Sequence, residues 1–396
     1  MEEVKDYESK KTFRFRIYPN KNQITFIHKT IGCARFVYNY FTGKQKEKDI
    51  YWYKVNEMVQ NGQLLQNNWK GEFFNKNKAI KAVRELKKNY PFLKEADSIA
   101  LQKAVENVND SYTRYYKKQN RAPRFKSKKN PVQSYTTKYV NGNIAVFDKH
   151  IKLPKLGLVR MAKSREVEGR IMNVTVRRNP AGKYFVSILV EAEVDPHEKT
   201  GTSVGIDVGL TDFATLSDGT VYENPRFFRT LEEKLAKAQV ILSRRQIGSA
   251  NWQKQKREVA RIHEKIANKR KDMLNKISAE IIKNHDIIGI EYLSVKKMLK
   301  NRNLAKLISD VSWSVFQAML EYKATWYGKQ IVKVAKNYPS SQLCSHCGHQ
   351  NQDVKNLALR AWTCDICQCH HQRDVNASRN LRKEALRLTA GTVGIA

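Results

Sequence analysis

Residues 12–18, Thr-Phe-Arg-Phe-Arg-Ile-Tyr, alternate apolar and basic with the period of two expected of a strand with one buried face, and Pro19 ends the run. From about residue 23 to 48 the period lengthens. Phe26, Ile27, Ile31, Ala34, Phe36, Val37, Tyr40 and Phe41 recur at helical spacing. A second helical pattern, Ile99, Leu101, Ala104, Val105, Val108, Tyr112 and Tyr115, follows a helix-start signal at residues 91–98, so residues 20–120 read as mainly helical. Residues 132–195 return to short strand-like runs at 134–137, 142–147, 158–161, 171–176 and 184–191. Turn signals such as Asn141-Gly142 and Asn179-Pro180-Ala181-Gly182 separate them. This arrangement predicts a small β-barrel with the helical region inserted after its first strand.

A polar linker at 195–202 precedes a change to α/β character. Residues 203–209 form an apolar run suited to a buried strand. Segments 213–216 and 220–222 continue a meander, and residues 229–283 read as long charged helices striped by Leu231, Leu235, Ala238, Leu242, Val259, Ile262, Ile266 and Ile277. A fourth strand at 287–291, a helix at about 312–328, a fifth strand at 330–335 and a helix starting near Asp374 complete an RNase H-type order. No internal repeat is present.

Charge then narrows the function. Lys and Arg number 73 against 38 Asp and Glu, a formal net charge of +35 spread along all 396 residues. Self-repulsion on that scale is unfavourable unless a polyanion neutralises it, which points to nucleic acid. The densest basic loop, 121–130, offers Arg121, Arg124, Lys126, Lys128 and Lys129 to phosphates, and Arg373 beside Asp374 joins them as a candidate. The helices at 229–283 and the segment 294–306 add further cations. Tyr51, Trp52, Tyr53, Tyr115 and Tyr116 are suited to base stacking or, equally, to packing between helices. The polar start, Met1-Glu2-Glu3-Val4, does not read as a signal peptide, and no apolar run approaches the roughly 18 residues of a membrane span. The expectation is a cytoplasmic protein with no membrane partner.

Five of the six cysteines lie between Cys344 and Cys369. Cys344, Cys347, Cys364 and Cys367 form two C-x-x-C knuckles at the spacing of a tetrahedral, structural Zn²⁺ site. Cys369, His370 and His371 are read as bystanders, as are His346 and His349. Cys33 stands alone in an apolar stretch and reads as a small buried residue.

Asp207 interrupts one apolar strand, Glu291 ends another, and Asp374 opens a helix. Each alone is an ordinary turn or helix-cap acid. Together, at one edge of a mixed sheet, they could hold two divalent ions, Mg²⁺ or Mn²⁺, beside a phosphodiester.

Gly205-Ile206-Asp207-Val208-Gly209-Leu210, Gly289-Ile290-Glu291-Tyr292-Leu293, and the cysteine segment running into Arg373-Asp374-Val375-Asn376-Ala377 closely resemble the three RuvC segments and zinc ribbon of the TnpB (OrfB) family. These are insertion-sequence-encoded, RNA-guided DNA endonucleases related to type V CRISPR effectors. The loop Pro123-Arg124-Phe125-Lys126-Ser127-Lys128 and the closing Ala390-Gly391-Thr392-Val393-Gly394-Ile395 also resemble the family. The resemblance implies a multidomain α+β protein. Residues 1–20 and 121–197 would form a wedge β-barrel and 21–120 a helical recognition insertion. Residues 203–337 and 370–396 would form a RuvC-like nuclease, with 338–369 an inserted zinc ribbon. It implies that Asp207, Glu291 and Asp374 are catalytic metal ligands, and that the partners are a guide RNA from the transposon end and double-stranded DNA with an adjacent short motif. Two departures stand out. Gln368 replaces the Gly common after the last zinc cysteine, and Gln372 replaces the Asp common before Arg373. The rival readings are a guided DNA-binding regulator that does not cut, and an RNA-independent transposase or resolvase.

Overall fold

A computed structural model of the chain describes residues 8–64, 73–224, 227–291, 312–356 and 358–393. The cationic segment 294–306, Tyr292, Leu293, Gly394 and Ile395 lie outside the described residues. The chain divides into two units at residues 193/194.

In the first unit β1 (Glu8–Tyr18) leads directly into α1 (Lys21–Gln60). Asn20 starts the helix through a reciprocal cap. Its side chain accepts the Gln23 N–H at 2.9 Å, and the Gln23 side chain accepts the Asn20 N–H at 3.0 Å. The apolar stripe of α1 is buried from Ile27 to Gln45. Beyond it the helix continues to Gln60 with Ile50, Tyr51 and Tyr53 exposed. The helix therefore outlasts the periodicity that predicts it, because its second half rests on helix-forming Lys, Glu and Gln rather than on burial. Helices α2 (Lys76–Asn89) and α3 (Ser98–Tyr116) follow, the latter capped by Asp97.

Strands β2 (Gln133–Lys138), β3 (Ala145–Val146), β4 (His150–Leu153), β5 (Gly157–Ala162), β6 (Arg170–Arg178) and β7 (Tyr184–Glu193) join β1 in a seven-stranded sheet of order β2-β6-β7-β1-β5-β4-β3. The sheet is open, which corrects the expected barrel. β2 and the two-residue β3 are its edges and do not pair with each other. Closure is unnecessary for burial here. Phe15, Ile17, Val176, Val186 and Ile188 form one core with Ile27, Val37, Leu101, Val105 and Val108 of the helices, so α1 and α3 cover the apolar face that the far wall of a barrel would otherwise cover.

The second unit holds a five-stranded sheet of order β10-β9-β8-β11-β12, made of β8 (Ser203–Asp207), β9 (Asp212–Leu216), β10 (Val221–Glu223), β11 (Ile287–Glu291) and β12 (Gln330–Val334). β8, β11 and β12 run parallel, and β9 and β10 complete an antiparallel meander. Helices α4 (Phe227–Ser243) and α5 (Ala250–Asn284) form an arm with its own small core of Leu235, Ala238, Ile262 and Ile266. α6 (Trp313–Tyr327) packs on the sheet through Phe316, whose ring meets Phe213 edge-on at 4.9 Å. Asp286 anchors the base of the sheet. It accepts the Thr200 and Gly201 N–H groups and the buried Lys329 ammonium at 2.6 Å. Burial would raise this carboxyl, but those three donors outweigh it and hold it down to about 2.

A two-stranded ribbon, β13 (Ala361–Thr363) and β14 (His370–Gln372), runs into the last helix, α7 (Arg373–Val393). α7 lies on β8 and β11 at an unusually close distance. Gly205 and Gly289 are register partners on the two strands. A Cβ on Gly205 would stand 1.9 Å from the Ser378 carbonyl oxygen, and one on Gly289 2.6 Å from that of Leu381. Replacing Gly205 by Ala forces backbone against backbone. Gly205→Ala should destabilise the protein by about 1–3 kcal/mol, the usual scale of overpacking, read as a lower urea midpoint at unchanged slope. An unaltered midpoint would mean that the helix does not lie where it is described.

Candidate active site and cysteine cluster

Side chains alternate across a strand, so Asp207 shares a face with Gly205 and Glu291 with Gly289. That face is the one on which α7 lies. Continuing the parallel register by one residue sets Glu291 beside Asp207 at the ends of adjacent strands. Asp374 stands in the first turn of α7, one residue inside the helix and not at its cap. Its carboxylate suits the positive end of the helix dipole. Asp207, Glu291 and Asp374 are all half-buried.

The three charges are close enough to affect one another. Burial, then the Asp374 and Glu291 carboxylates, push Asp207 up to about 8, against the pull of Arg373 and Arg360. Burial also raises Glu291, opposed by Lys336. Arg360 reaches Asp374 at 3.6 Å and donates to the Thr211 hydroxyl at 3.2 Å. Arg373 is fixed by its backbone N–H to the Arg360 carbonyl, 2.8 Å, and by its guanidinium to the Asn356 carbonyl, 2.9 Å. Crowded carboxylates in hard-oxygen surroundings, with only partial countercharge, fit divalent cations of the Mg²⁺ or Mn²⁺ type.

The four predicted cysteines converge. Their sulfurs all lie within 4.8 Å of one another. Cys344 and Cys367 are 3.5 Å apart, and Cys347 and Cys364 3.6 Å. A tetrahedron of roughly 2.3 Å zinc–sulfur bonds has edges of about 3.8 Å, so the cluster can bind zinc. The two knuckles are built alike. Gly348 and Gln368 donate their N–H to the Cys344 and Cys364 carbonyls, each at 2.9 Å, and both have positive φ, 83° and 57°. Position 368 thus sits in left-handed backbone that favours Gly, and the chain places Gln there. Cys369 and His346 also lie near Cys367. His371, read from sequence as a bystander, is buried at 3.0 Å from the Cys344 sulfur and tilts against Trp362. Gln372 is exposed on the other face of β14.

Periodicity alone misses what joins this cluster to the acids. Asn376 accepts the Ser345 N–H at 2.8 Å and donates to the Leu343 carbonyl at 2.7 Å. Asn380 donates to the carbonyls of Ser340, 2.8 Å, and Leu343, 2.6 Å, and Lys383 to that of Ser345. Both asparagines are buried. One face of α7 is therefore bolted to the first knuckle and another to the glycine pair.

Of the basic loop, Arg121, Arg124, Lys128 and Lys129 are exposed. Lys126 is exposed as well; its ammonium sits 4.0 Å from the centre of the Tyr38 ring, and its backbone exchanges hydrogen bonds with the Asn39 side chain. Arg121 and Arg124 line a groove of about 430 Å³ with Tyr38, Asp110 and Arg114. Tyr115 and Tyr116 pack against the core, whereas Tyr51 and Tyr53 are exposed.

Three family models match the chain: "Probable transposase" (OrfB_IS605) over residues 187–302, "Cas12f1-like, TNB domain" over 313–381, and "Helix-turn-helix domain" (HTH_OrfB_IS605) over 9–49. The last region is here β1 followed by one continuous helix. The chain is 35% identical over 392 residues to a Streptomyces pristinaespiralis protein named "Putative RNA-guided DNA endonuclease", covering 98% of this chain and 92% of the relative. It is 33% identical over 386 residues to InsQ of Escherichia coli K12, which carries the same description, covering 93% and 90%. In fold it is similar to the protein of a Cas12f1-sgRNA-target DNA complex, with a TM-score of 0.51 at 14% identity, covering 95% of this chain and 99% of that one. No described helix is long and apolar enough to cross a membrane.

Two outcomes test this geometry. In metal-free protein the raised Asp207 carboxyl keeps its proton in the folded state over a range where the unfolded chain has lost it. Stability should fall as pH rises from about 4 towards 8. Asp207→Asn should flatten that slope and be the more stable form at pH 8 by about 1 kcal/mol or more, on the scale of 1.4 kcal/mol per pKa unit. Parallel melting curves for the two proteins across that range would contradict the clustering. At the second knuckle, Gln368→Gly should raise stability by about 1 kcal/mol by relieving left-handed backbone; a lower melting temperature would show the Gln side chain to be useful.

Proposed function

Because the chain belongs to the OrfB (TnpB) family, we propose that it is an RNA-guided DNA endonuclease that hydrolyses phosphodiesters at Asp207, Glu291 and Asp374. The observation that carries this reading is the convergence of those three acids, from two strands and a helix, at one sheet edge. The strand order, with β8 flanked by antiparallel β9 and parallel β11, supports an RNase H-type, RuvC-like class of nuclease.

The three carboxylates would hold divalent cations, Mg²⁺ or Mn²⁺. Bound there, such ions supply an activated water and charge stabilisation at the phosphorus. The protein supplies placement. Asp207 and Glu291 are fixed by a parallel register, and Asp374 by a helix that cannot slide over the glycine pair. Arg360 and Arg373 lower the repulsion among the acids and offer donors to a phosphate oxygen. Zinc at Cys344, Cys347, Cys364 and Cys367 would be structural, since four thiolates complete its coordination. Arg121, Arg124, Lys128 and Lys129 are surface cations suited to phosphate contacts. Sequence choice would fall to base pairing with the guide, so the chain needs backbone contacts more than base contacts.

The test uses the purified full chain, the RNA that travels with it, Mg²⁺ and DNA matching that RNA. Asp207→Ala and Glu291→Ala should each cut at least about a hundredfold more slowly, the scale of losing one charge-stabilising group, while still retaining the RNA. Undiminished cutting by Asp207→Ala would sink the site assignment. Wild-type protein that binds the matching DNA and leaves it whole would favour the regulator reading, and cutting without RNA the resolvase reading.

A further inference from the structure

The two cysteine knuckles share one backbone plan, yet their side chains differ. In each, the first cysteine donates its N–H to the carbonyl five residues on, Cys344 to His349 at 2.8 Å and Cys364 to Cys369 at 2.9 Å. Cys369 therefore stands in the second knuckle where His349 stands in the first, and Ile366 where His346 does. His346 reaches across to the second knuckle. Its ring nitrogen and the sulfurs of Cys367 and Cys369 all lie within 4.8 Å of one another. By the same correspondence the place beside Cys347 falls to Ile366, which has no donor atom. The extra ligands are thus gathered on one side of the four-cysteine cluster.

That side faces solvent. Cys344 and Cys364 are buried, whereas Cys367 and Cys369 are half-buried and His346 is exposed. With zinc–sulfur bonds of roughly 2.3 Å and zinc–nitrogen bonds of roughly 2.0 Å, the ligands of a tetrahedral ion stand roughly 3.5–3.8 Å apart. Atoms within 4.8 Å need draw in by about 1 Å at most, a small rotation for an exposed histidine. Neither Cys369 nor His346 is needed by an ion that the four cysteines already enclose. Four thiolates around one divalent ion also leave an excess of negative charge, which attracts a second cation. Thiolate and imidazole together select zinc-like metals over Mg²⁺.

We propose that His346, Cys367 and Cys369 form a second metal site, for a thiophilic divalent ion such as Zn²⁺, bridged to the first by the Cys367 sulfur. Three ligands leave its fourth position to water, so this ion exchanges with solution while the enclosed one does not. The proposal rests on the reading that the four cysteines hold the first ion.

The probe is cobalt(II), added to the full-length protein with its RNA and excess Mg²⁺ after a weak chelator has left only tightly held zinc. Cobalt on a thiolate absorbs in the near ultraviolet, and cobalt on carboxylates or RNA phosphates does not. About one thiolate-bound cobalt per chain should appear with no release of zinc, since cobalt binds such ligands less tightly than zinc does. Cys369→Ser and His346→Ala should each weaken this binding at least about tenfold, the low end of what even an outer-sphere partner of a metal contributes. Both should leave the tight zinc and the melting temperature unchanged. Cys369→His exchanges one ligand for another and should keep cobalt bound, with a weaker band. No thiolate-bound cobalt in the wild-type protein, cobalt taken up only as zinc is released, or undiminished binding by both variants overturns the proposal. Protein that holds no tight zinc overturns the reading of the four cysteines, and the second site with it.

Discussion

Where α7 meets β8 and β11, the helix backbone comes directly onto two strand glycines. At Gly205 a Cβ would lie 1.9 Å from a helix carbonyl, and at Gly289 2.6 Å from another. This contact is a length standard for the site. From Gly205 to Asp207 the strand advances about 6.6 Å, and from Ser378 back to Asp374 the helix retreats about 6 Å. Two elements of different pitch thus bring their carboxylates to a common height. A bulkier residue at either glycine would lift the helix and carry Asp374 away from the other two acids. The remaining contacts of α7, through Asn376 and Asn380 to the backbone around Leu343, keep it from rolling on that flat seat.

The same contact creates an electrostatic debt. Burial first, and then repulsion from Asp374 and Glu291, lifts Asp207 to about 8. The cysteine segment supplies part of the relief. Arg360 precedes β13 and Arg373 follows β14, so the ribbon presents both guanidiniums to the acids. The ribbon gathered by the four cysteines therefore sets the position of Asp374 and also of the cations that moderate its neighbours. Losing the order of the four cysteines would disturb both, although none of them touches the acid cluster.

Much of this was legible in the sequence. The strand of alternating Phe and Arg, the buried strands that carry Asp207 and Glu291, the helix start at Asp374 and the spacing of the two knuckles follow from period, spacing and residue type. That the sheet stays open rather than closing into the expected barrel was not legible, because alternation reports that one face is buried and says nothing about what buries it; here α1 and α3 do. The last stretch of α1, residues 49–60, goes beyond the helix read from periodicity, since none of its residues is buried. Gly205 and Gly289 look like ordinary strand glycines until the register pairs them, and His371 looks idle until β14 pairs with β13 and folds it against Cys344. Periodicity likewise says nothing of the contact that Lys126 makes with the Tyr38 ring.

Lys126, Arg16 and Arg160 each lie over a tyrosine ring. Burial lowers the pKa of Lys126, while the Tyr38 ring face attracts its ammonium. Arg16 and Arg160 lie over Tyr18 with their residues exposed, and a guanidinium stays protonated under any surrounding the protein offers. Ring contacts let the chain concentrate cations without adding acids to balance them, which is one route to a net charge of +35 in a folded protein. Exposed ion pairs would stabilise such a surface little, and they would neutralise it in advance. Rings do not neutralise it. A surface that keeps its charge in this way suits a polyanionic partner.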